Sequence, residues 1–267
     1  MCKIFKKFEI MKYAKKSLGQ NFLNDLNIIK KIVSLKDIND KNVLEIGPGK
    51  GALTDLIIQK KPKFITLIEK DDILFQNLKF KYRNIKNLKI LNEDVLKFDF
   101  EKHLKSNSVV FGNLPYNISS QILFKCLEYK SNIPEIVGMF QREVAQRIAQ
   151  GPGNKQYGIL SVLMQAYYDI EYLFTVDEDV FDPPPKVKSG VIRCLRNTRK
   201  KLPCDEKLFK TVVKTAFNQR RKTMRNSLKS LLGVTVLPEK FSGERPEQCS
   251  VEDFIELTNL IEANRRV

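Results

Sequence analysis

The stretch Asn42-Val43-Leu44-Glu45-Ile46-Gly47-Pro48-Gly49-Lys50-Gly51-Ala52-Leu53-Thr54 limits this chain to a narrow set of folds. Its first five residues read as a short buried strand. Glycines at alternate positions then force a turn that opens a helix. Two more strands follow. Phe64-Ile65-Thr66-Leu67-Ile68 ends at Glu69, 22 residues beyond Gly47, and Leu88-Lys89-Ile90-Leu91 runs into Asn92-Glu93-Asp94. A helix from Asp71 to Tyr82 separates them. An earlier helix takes Asn24 or Asp25 as its cap and turns Leu26, Ile29, Ile32 and Val33 inward. Strand and helix alternating at this spacing build a doubly wound, mostly parallel sheet.

The alternation continues. Ser108-Val109-Val110-Phe111 is a fourth strand. The helix after Ile118 has Ser119 or Ser120 for a cap and Ile122, Leu123, Cys126 and Leu127 for its apolar stripe. Ile133 to Phe140 is a fifth strand, and Arg142 to Gln150 a helix with Val144 and Ile148 inward. Gly151-Pro152-Gly153-Asn154 breaks it, and a further helix runs from Tyr157-Gly158 through Tyr168. Ile170 to Val176 and Ser189 to Leu195 complete a seven-stranded sheet. Between them, the three prolines of Phe181-Asp182-Pro183-Pro184-Pro185-Lys186-Val187 impose an extended, ladder-free segment. From about Thr198 the apolar period becomes helical: Leu208, Val212, Val213 and Ala216, then Met224 and Leu228, then Phe254, Leu257, Leu260 and Ile261. The division expected is an extension over 1–14, an α/β domain over 15–197 and a small all-helical domain over 198–267.

Chemistry concentrates at the strand ends. Gly112-Asn113-Leu114-Pro115-Tyr116-Asn117 follows the fourth strand, where open α/β sheets bind ligands. Asn113 Oδ1 and the Leu114 carbonyl are acceptors suited to an exocyclic amine. Pro115 fixes the backbone beside that carbonyl. Tyr116 offers a stacking face worth ~1–3 kcal/mol per base. The turn at Gly47 and Gly49 lets a cofactor approach the backbone at a helix amino end. Glu69 is placed to accept ribose hydroxyls, and Asp94 to accept from an adenine amine. The spacing G-x-G-x-G competes with the dinucleotide fingerprint, which wants a glycine at Ala52. A cofactor with ribose and adenine but no pyrophosphate, S-adenosylmethionine, suits the set better.

Charge says what the partner is. The net charge is +16, of which residues 193–229 carry +11 (13 Lys/Arg, two acids) and residues 1–16 carry +5. Charge gathered in this way is the footprint of a polyanion-binding face. No apolar run approaches the ~20 residues of a membrane span. Five scattered cysteines without C-x-x-C, and His103 as the single histidine, argue for a reducing, cytoplasmic compartment and against disulfide or metal sites.

Several stretches together resemble the ribosomal RNA adenine dimethyltransferase family, its small-subunit type most of all. They are K-K-S-L-G-Q-N-F-L (15–23), L-E-I-G-P-G-K-G-A-L-T (44–54), I-E-K-D (68–71), N-E-D (92–94), F-G-N-L-P-Y-N-I-S (111–119), F-D-P-P-P-K-V (181–187), F-N-Q-R-R-K-T-M-R-N-S-L (217–228) and G-E-R-P-E-Q-C-S (243–250). The resemblance implies a class I, Rossmann-like methyltransferase that uses S-adenosylmethionine. The implied reaction dimethylates two adjacent adenosines in a hairpin near the 3′ end of small-subunit (16S) rRNA. The implied partner is that RNA within a pre-30S particle, met by a monomer. Cofactor contacts implied are Gln20, Asn21, Leu23, Gly47, Gly49, Glu69, Lys70, Asp94, Val95 and Asn113. The target base would meet Asn113, Leu114, Pro115 and Tyr116, with Phe181 as a second stacking aromatic, and Arg220, Arg221, Lys222 and Arg225 would be RNA-phosphate or scaffold contacts of the helical domain, since Phe217, Met224 and Leu228 beside them also pack. The acids Asp177, Glu178 and Asp179 depart from the apolar, proline-containing stretch usual ahead of that phenylalanine. Competing readings are the related large-subunit adenine methyltransferase, a non-catalytic assembly factor and, more distantly, a nicotinamide oxidoreductase.

Overall fold

The computed structural model describes residues 15, 18–233 and 236–265 of the chain, so the expected extension over 1–14 lies outside the described residues. Two short strands, β1 (Phe22–Leu23) and β8 (Phe181–Asp182), pair antiparallel. The others are β2 (Asn42–Ile46), β3 (Phe64–Glu69), β4 (Leu88–Asn92), β5 (Ser108–Asn113), β6 (Glu135–Gln141), β7 (Tyr168–Val176) and β9 (Ser189–Arg196). They form one seven-stranded sheet in the order β4-β3-β2-β5-β6-β9-β7. Strands β2 to β6 are parallel, while β9 runs antiparallel to both β6 and β7. The chain winds outward from β2 to β4 and then returns to lay β5 on the other flank of β2. That reversal makes the crevice beyond β2 and β5 the place for a ligand.

The inner strands are buried on both faces, so they read as continuous apolar runs rather than alternating ones. Val109 and Phe111 of β5 join a cluster with Ile29, Val33 and Leu78, whereas Val110 between them joins a cluster with Ile122 and Tyr157. Gly112 is required by close approach, since a Cβ there would lie 2.9 Å from the Ile46 carbonyl oxygen and 2.6 Å from Leu114.

The C-terminal helices share the second of these clusters with the sheet. Helix Glu206–Asn218 is capped by Asp205, whose carboxylate accepts from the Leu208 amide, and it buries Leu208, Phe209, Val212, Val213, Ala216 and Phe217. Phe217 stacks on Phe254 of helix Val251–Arg265 at 5.9 Å and meets Tyr157 edge-on at 6.3 Å.

Five local expectations change. Leu26, the first residue of helix Leu26–Ser34, is 53% exposed; Asp25 caps that helix and the stripe begins at Ile29. Neither Ser119 nor Ser120 caps helix Ser119–Glu128, because Ser119 Oγ donates back to the Tyr116 carbonyl. In helix Arg142–Ala149 the inward residues are Ala145 and Ile148, with Val144 only partly buried. The helix expected to run through Tyr168 spans Ile159–Gln165, and Tyr168 opens β7 with its hydroxyl donated to the Ile133 carbonyl. The proline segment is not wholly ladder-free, for Phe181 and Asp182 pair with Leu23 and Phe22 before the cis Asp182–Pro183 bond.

Candidate functional site

The carboxyl ends of β2, β3 and β5 open into a cavity of about 370 Å³. Its lining brings together Gly47, Gly49, Glu69, Lys70, Asp94, Val95, Asn113, Leu114, Pro115 and Tyr116 with Gln20, Asn21 and Leu23 from the N-terminal segment. Gly49 adopts φ +59, and a Cβ on it would press the Phe22 ring at 3.1 Å. A side chain there is therefore disfavoured by the backbone and would require the Phe22 ring to shift.

Glu69 is 5% exposed. Its Oε2 accepts from the Gly49 amide at 3.1 Å and its Oε1 from the Asp71 amide at 2.9 Å. Burial pushes this carboxyl above its usual range, and the backbone donors only partly counter it. Each oxygen keeps a further lone pair for a hydroxyl donor. Asp94 behaves oppositely: the Lys70 ammonium, 2.8 Å from Oδ2, holds it below the usual carboxylate range, helped by the Leu96 amide on Oδ1. Lys70 thus borders the cavity as the counter-ion of Asp94.

The central amide is oriented from the side. Asn113 Nδ2 donates to the Asn21 carbonyl at 2.8 Å. Only the nitrogen end of an amide can make that bond, so Oδ1 is left as the available acceptor. The Leu114 amide donates to the Met139 carbonyl at 3.1 Å, and the Leu114 carbonyl accepts from no described residue. One amide oxygen and one backbone oxygen, on consecutive residues that both line the cavity, are therefore unspent.

The sequence pattern of the ribosomal RNA adenine dimethylase family matches residues 11–263. The chain belongs to this family. A protein of Parabacteroides distasonis named ribosomal RNA small subunit methyltransferase A is 55% identical over 251 residues, 91% of this chain and 92% of that protein. Its namesake from Flavobacterium johnsoniae is 53% identical over 256 residues, 94% and 97% of the two chains. Among solved structures, a dimethyladenosine transferase from Plasmodium falciparum shares the fold with a TM-score of 0.77 at 23% identity, over 92% of this chain and 98% of that one. The 23S rRNA methyltransferase ErmE gives 0.67 at 25% identity, over 90% and 100%. This chain is thus an rRNA adenine dimethylase with the class I methyltransferase sheet.

Within the dimethylase cavity, some anticipated residues have other partners. Gln20 lines the cavity, but its amide is taken at both ends: Nε2 donates to Asp71 Oδ2 at 3.1 Å and Oε1 accepts from the Lys15 amide at 2.7 Å. Lys15 Nζ lies 2.9 Å from the same Asp71 oxygen. Burial alone lifts the Asp71 carboxyl, yet the bonds from Lys15, Gln20 and the Leu74 and Ile73 amides outweigh it and hold the group low. Phe181 is 4% exposed and packs with Leu23 and Val176, outside the cavity lining. The β1–β8 ladder sets its ring into that core. The Arg220 guanidinium donates to the carbonyls of Lys155 and Tyr157 and lies 3.6 Å from Glu247. It ties the end of its helix to the segment after Ala149, while Arg221, Lys222 and Arg225 are exposed.

Two supports under the glycine turn were not anticipated. Glu45, 1% exposed, accepts from Thr54 Oγ1 at 2.7 Å and borders the cavity floor. Burial drives its carboxyl to about 8, against the pull of Thr54, with Asp55 and Glu69 adding to the rise and Lys81 opposing it. The signal was a lone acid inside the apolar run N-V-L-E-I. Tyr82 donates to Asp55 Oδ1 at 2.8 Å and lies 3.2 Å from the Gly51 carbonyl, bracing the turn from behind; nothing in the sequence around Tyr82 announces that contact. Among the described residues no group of His, Cys, Asp and Glu side chains is arranged to hold a metal, and no described helix is long and apolar enough to cross a membrane.

Proposed function

We propose that this enzyme methylates the exocyclic amines of two adjacent adenosines in a hairpin near the 3′ end of small-subunit rRNA, to N6,N6-dimethyladenosine, within a pre-30S particle in the cytoplasm. The observation that carries the proposal is the Asn113 amide, whose nitrogen is spent on Asn21 and whose oxygen stands beside the unspent Leu114 carbonyl.

The cavity fits S-adenosylmethionine by its donor set. Glu69 supplies buried acceptors for a ribose, Asp94 an acceptor for the adenine amine, and Leu23 and Val95 the apolar walls against its ring. Gly47 and Gly49 allow backbone approach, and the Asn21 carbonyl holds the Asn113 amide beside them. When bound, that cofactor supplies a methyl group on a positively charged sulfur. The nitrogen–carbon bond forms as the sulfur–carbon bond breaks, and the proton lost from nitrogen goes to solvent.

The chain's own work is on the amine. An adenine nitrogen is a poor nucleophile because its lone pair is shared with the ring. Asn113 Oδ1 and the Leu114 carbonyl each take one of its hydrogens and favour a pyramidal nitrogen with its lone pair free. Binding that geometry better than the flat one stabilises the transition state. Positioning supplies most of the rest, up to about 7–11 kcal/mol in oriented reactions. Pro115 keeps the carbonyl in place, and Tyr116 stacks on the base once it has left its helix. Arg221, Lys222 and Arg225 supply phosphate contacts from the helical region over 198–267, which acts as the RNA-binding part of a monomer.

Purified enzyme is offered undermethylated small-subunit particles and, separately, naked large-subunit rRNA, and the modified nucleosides are mapped by mass spectrometry. Two neighbouring dimethyladenosines in the small-subunit RNA support the proposal; modification confined to the large-subunit RNA overturns it.

A further inference from the structure

The hydroxyl of Tyr116 lies 2.5 Å from that of Ser189. Ser189 is fully buried, at 0% exposure. It opens β9, paired with Gln141 on one side and Val176 on the other. The residue before it is fastened too: the Lys188 carbonyl accepts from the Arg142 amide, and its ammonium meets Asp177 at 2.6 Å. Ser189 is therefore a fixed point in the middle of three strands. Among the described residues its hydroxyl has no partner but Tyr116. Tyr116, by contrast, sits on the turn after β5 and is only half-buried. Packing alone would be served by alanine at position 189, and a buried hydroxyl without a partner is costly.

We propose that Ser189 is a positioning residue that fixes the tilt of the Tyr116 ring. The ring then offers its face to the base at the depth where Asn113 Oδ1 and the Leu114 carbonyl receive the amine. This inference rests on Tyr116 being the base-stacking residue of the proposed function. It also explains why the residue that follows the proline loop is a serine, although it does not line the cavity at the strand ends.

Ser189→Ala, Tyr116→Phe and the double variant are assayed as full chains on undermethylated small-subunit particles. kcat and KM are read alongside cofactor affinity by calorimetry and the melting temperature. Losing one hydrogen bond that holds the ring is expected to lower kcat about tenfold in each single variant. Cofactor affinity stays unchanged; the melting temperature falls only in Tyr116→Phe, which strands the buried Ser189 hydroxyl, and the double variant is no slower than the slower single one. Wild-type kcat in Ser189→Ala, losses that multiply, or a loss in Ser189→Ala that tracks the melting temperature overturns the inference. Asn113→Ala in the same assay separates the two readings: if it is inactive while Ser189→Ala is unimpaired, only the positioning role fails.

Discussion

Glu45→Gln isolates one buried proton beneath the glycine turn. The Glu45 carboxyl titrates at about 8 in the folded chain against an ordinary 4.5. Between those values the folded state keeps a proton that the unfolded state has released. Stability therefore falls as pH rises. Its contribution is complete below 4.5 and is lost as pH passes through 8. One pKa unit corresponds to about 1.36 kcal/mol, so the two titration curves together give a loss on the order of 3–4 kcal/mol between about pH 5 and about pH 8. Glutamine keeps the shape and still offers an oxygen to Thr54, but it does not titrate. Urea unfolding of both proteins across this range is expected to show the wild type losing on the order of 3–4 kcal/mol more than Glu45→Gln. Parallel stability curves for the two proteins would refute the reasoning, because they would mean that Glu45 ionises alike in both states.

Two further perturbations address the cofactor cavity and the RNA-facing helical region. Asp71→Asn keeps Oδ1, which caps helix Asp72–Lys81, but replaces the oxygen that receives Gln20 and Lys15; cofactor binding is expected to weaken by about tenfold, the worth of one such bond to a charged group, with the melting temperature little changed, as calorimetry and thermal unfolding would show. Replacing Arg221 and Lys222 together with alanine should weaken binding of small-subunit RNA uniformly and reduce the log–log salt slope by about 1–2; a slope unchanged in filter binding would remove both from the phosphate contacts.

How much of this was legible depends on whether the determinant was local. The seven strands could be read because each is a short apolar run between turn residues, and Glu69, Asp94 and Asn113 could be placed because each ends such a run. What was missed depends on chain segments that meet only in space. Leu26 fits the helical stripe by period, yet its position ahead of the first buried turn leaves it in water. Gln20 looked free for a ligand because Asp71 lies 51 residues away in sequence. Phe181 was placed by resemblance alone, and its burial against Leu23 comes from a ladder of only two residues, too short to leave a pattern. Arg220 sits in a run of basic residues whose composition leaves phosphate and scaffold roles open, and its carbonyl partners on Lys155 and Tyr157 are of the scaffold kind. Ser189 carries no signal at all until Tyr116 is seen beside it.

The central claim is that the Asn113 oxygen acts on the amine during transfer rather than on the cofactor. Single-turnover methylation of undermethylated small-subunit particles by Asn113→Ala, with cofactor affinity measured in parallel, tests it most directly. The expected result is a rate lower by about 10²–10³, the usual cost of removing one transition-state contact, with S-adenosylmethionine bound nearly as tightly as in the wild type. A variant that transfers methyl groups at close to the wild-type rate, or one that loses the cofactor in proportion to its rate, contradicts it.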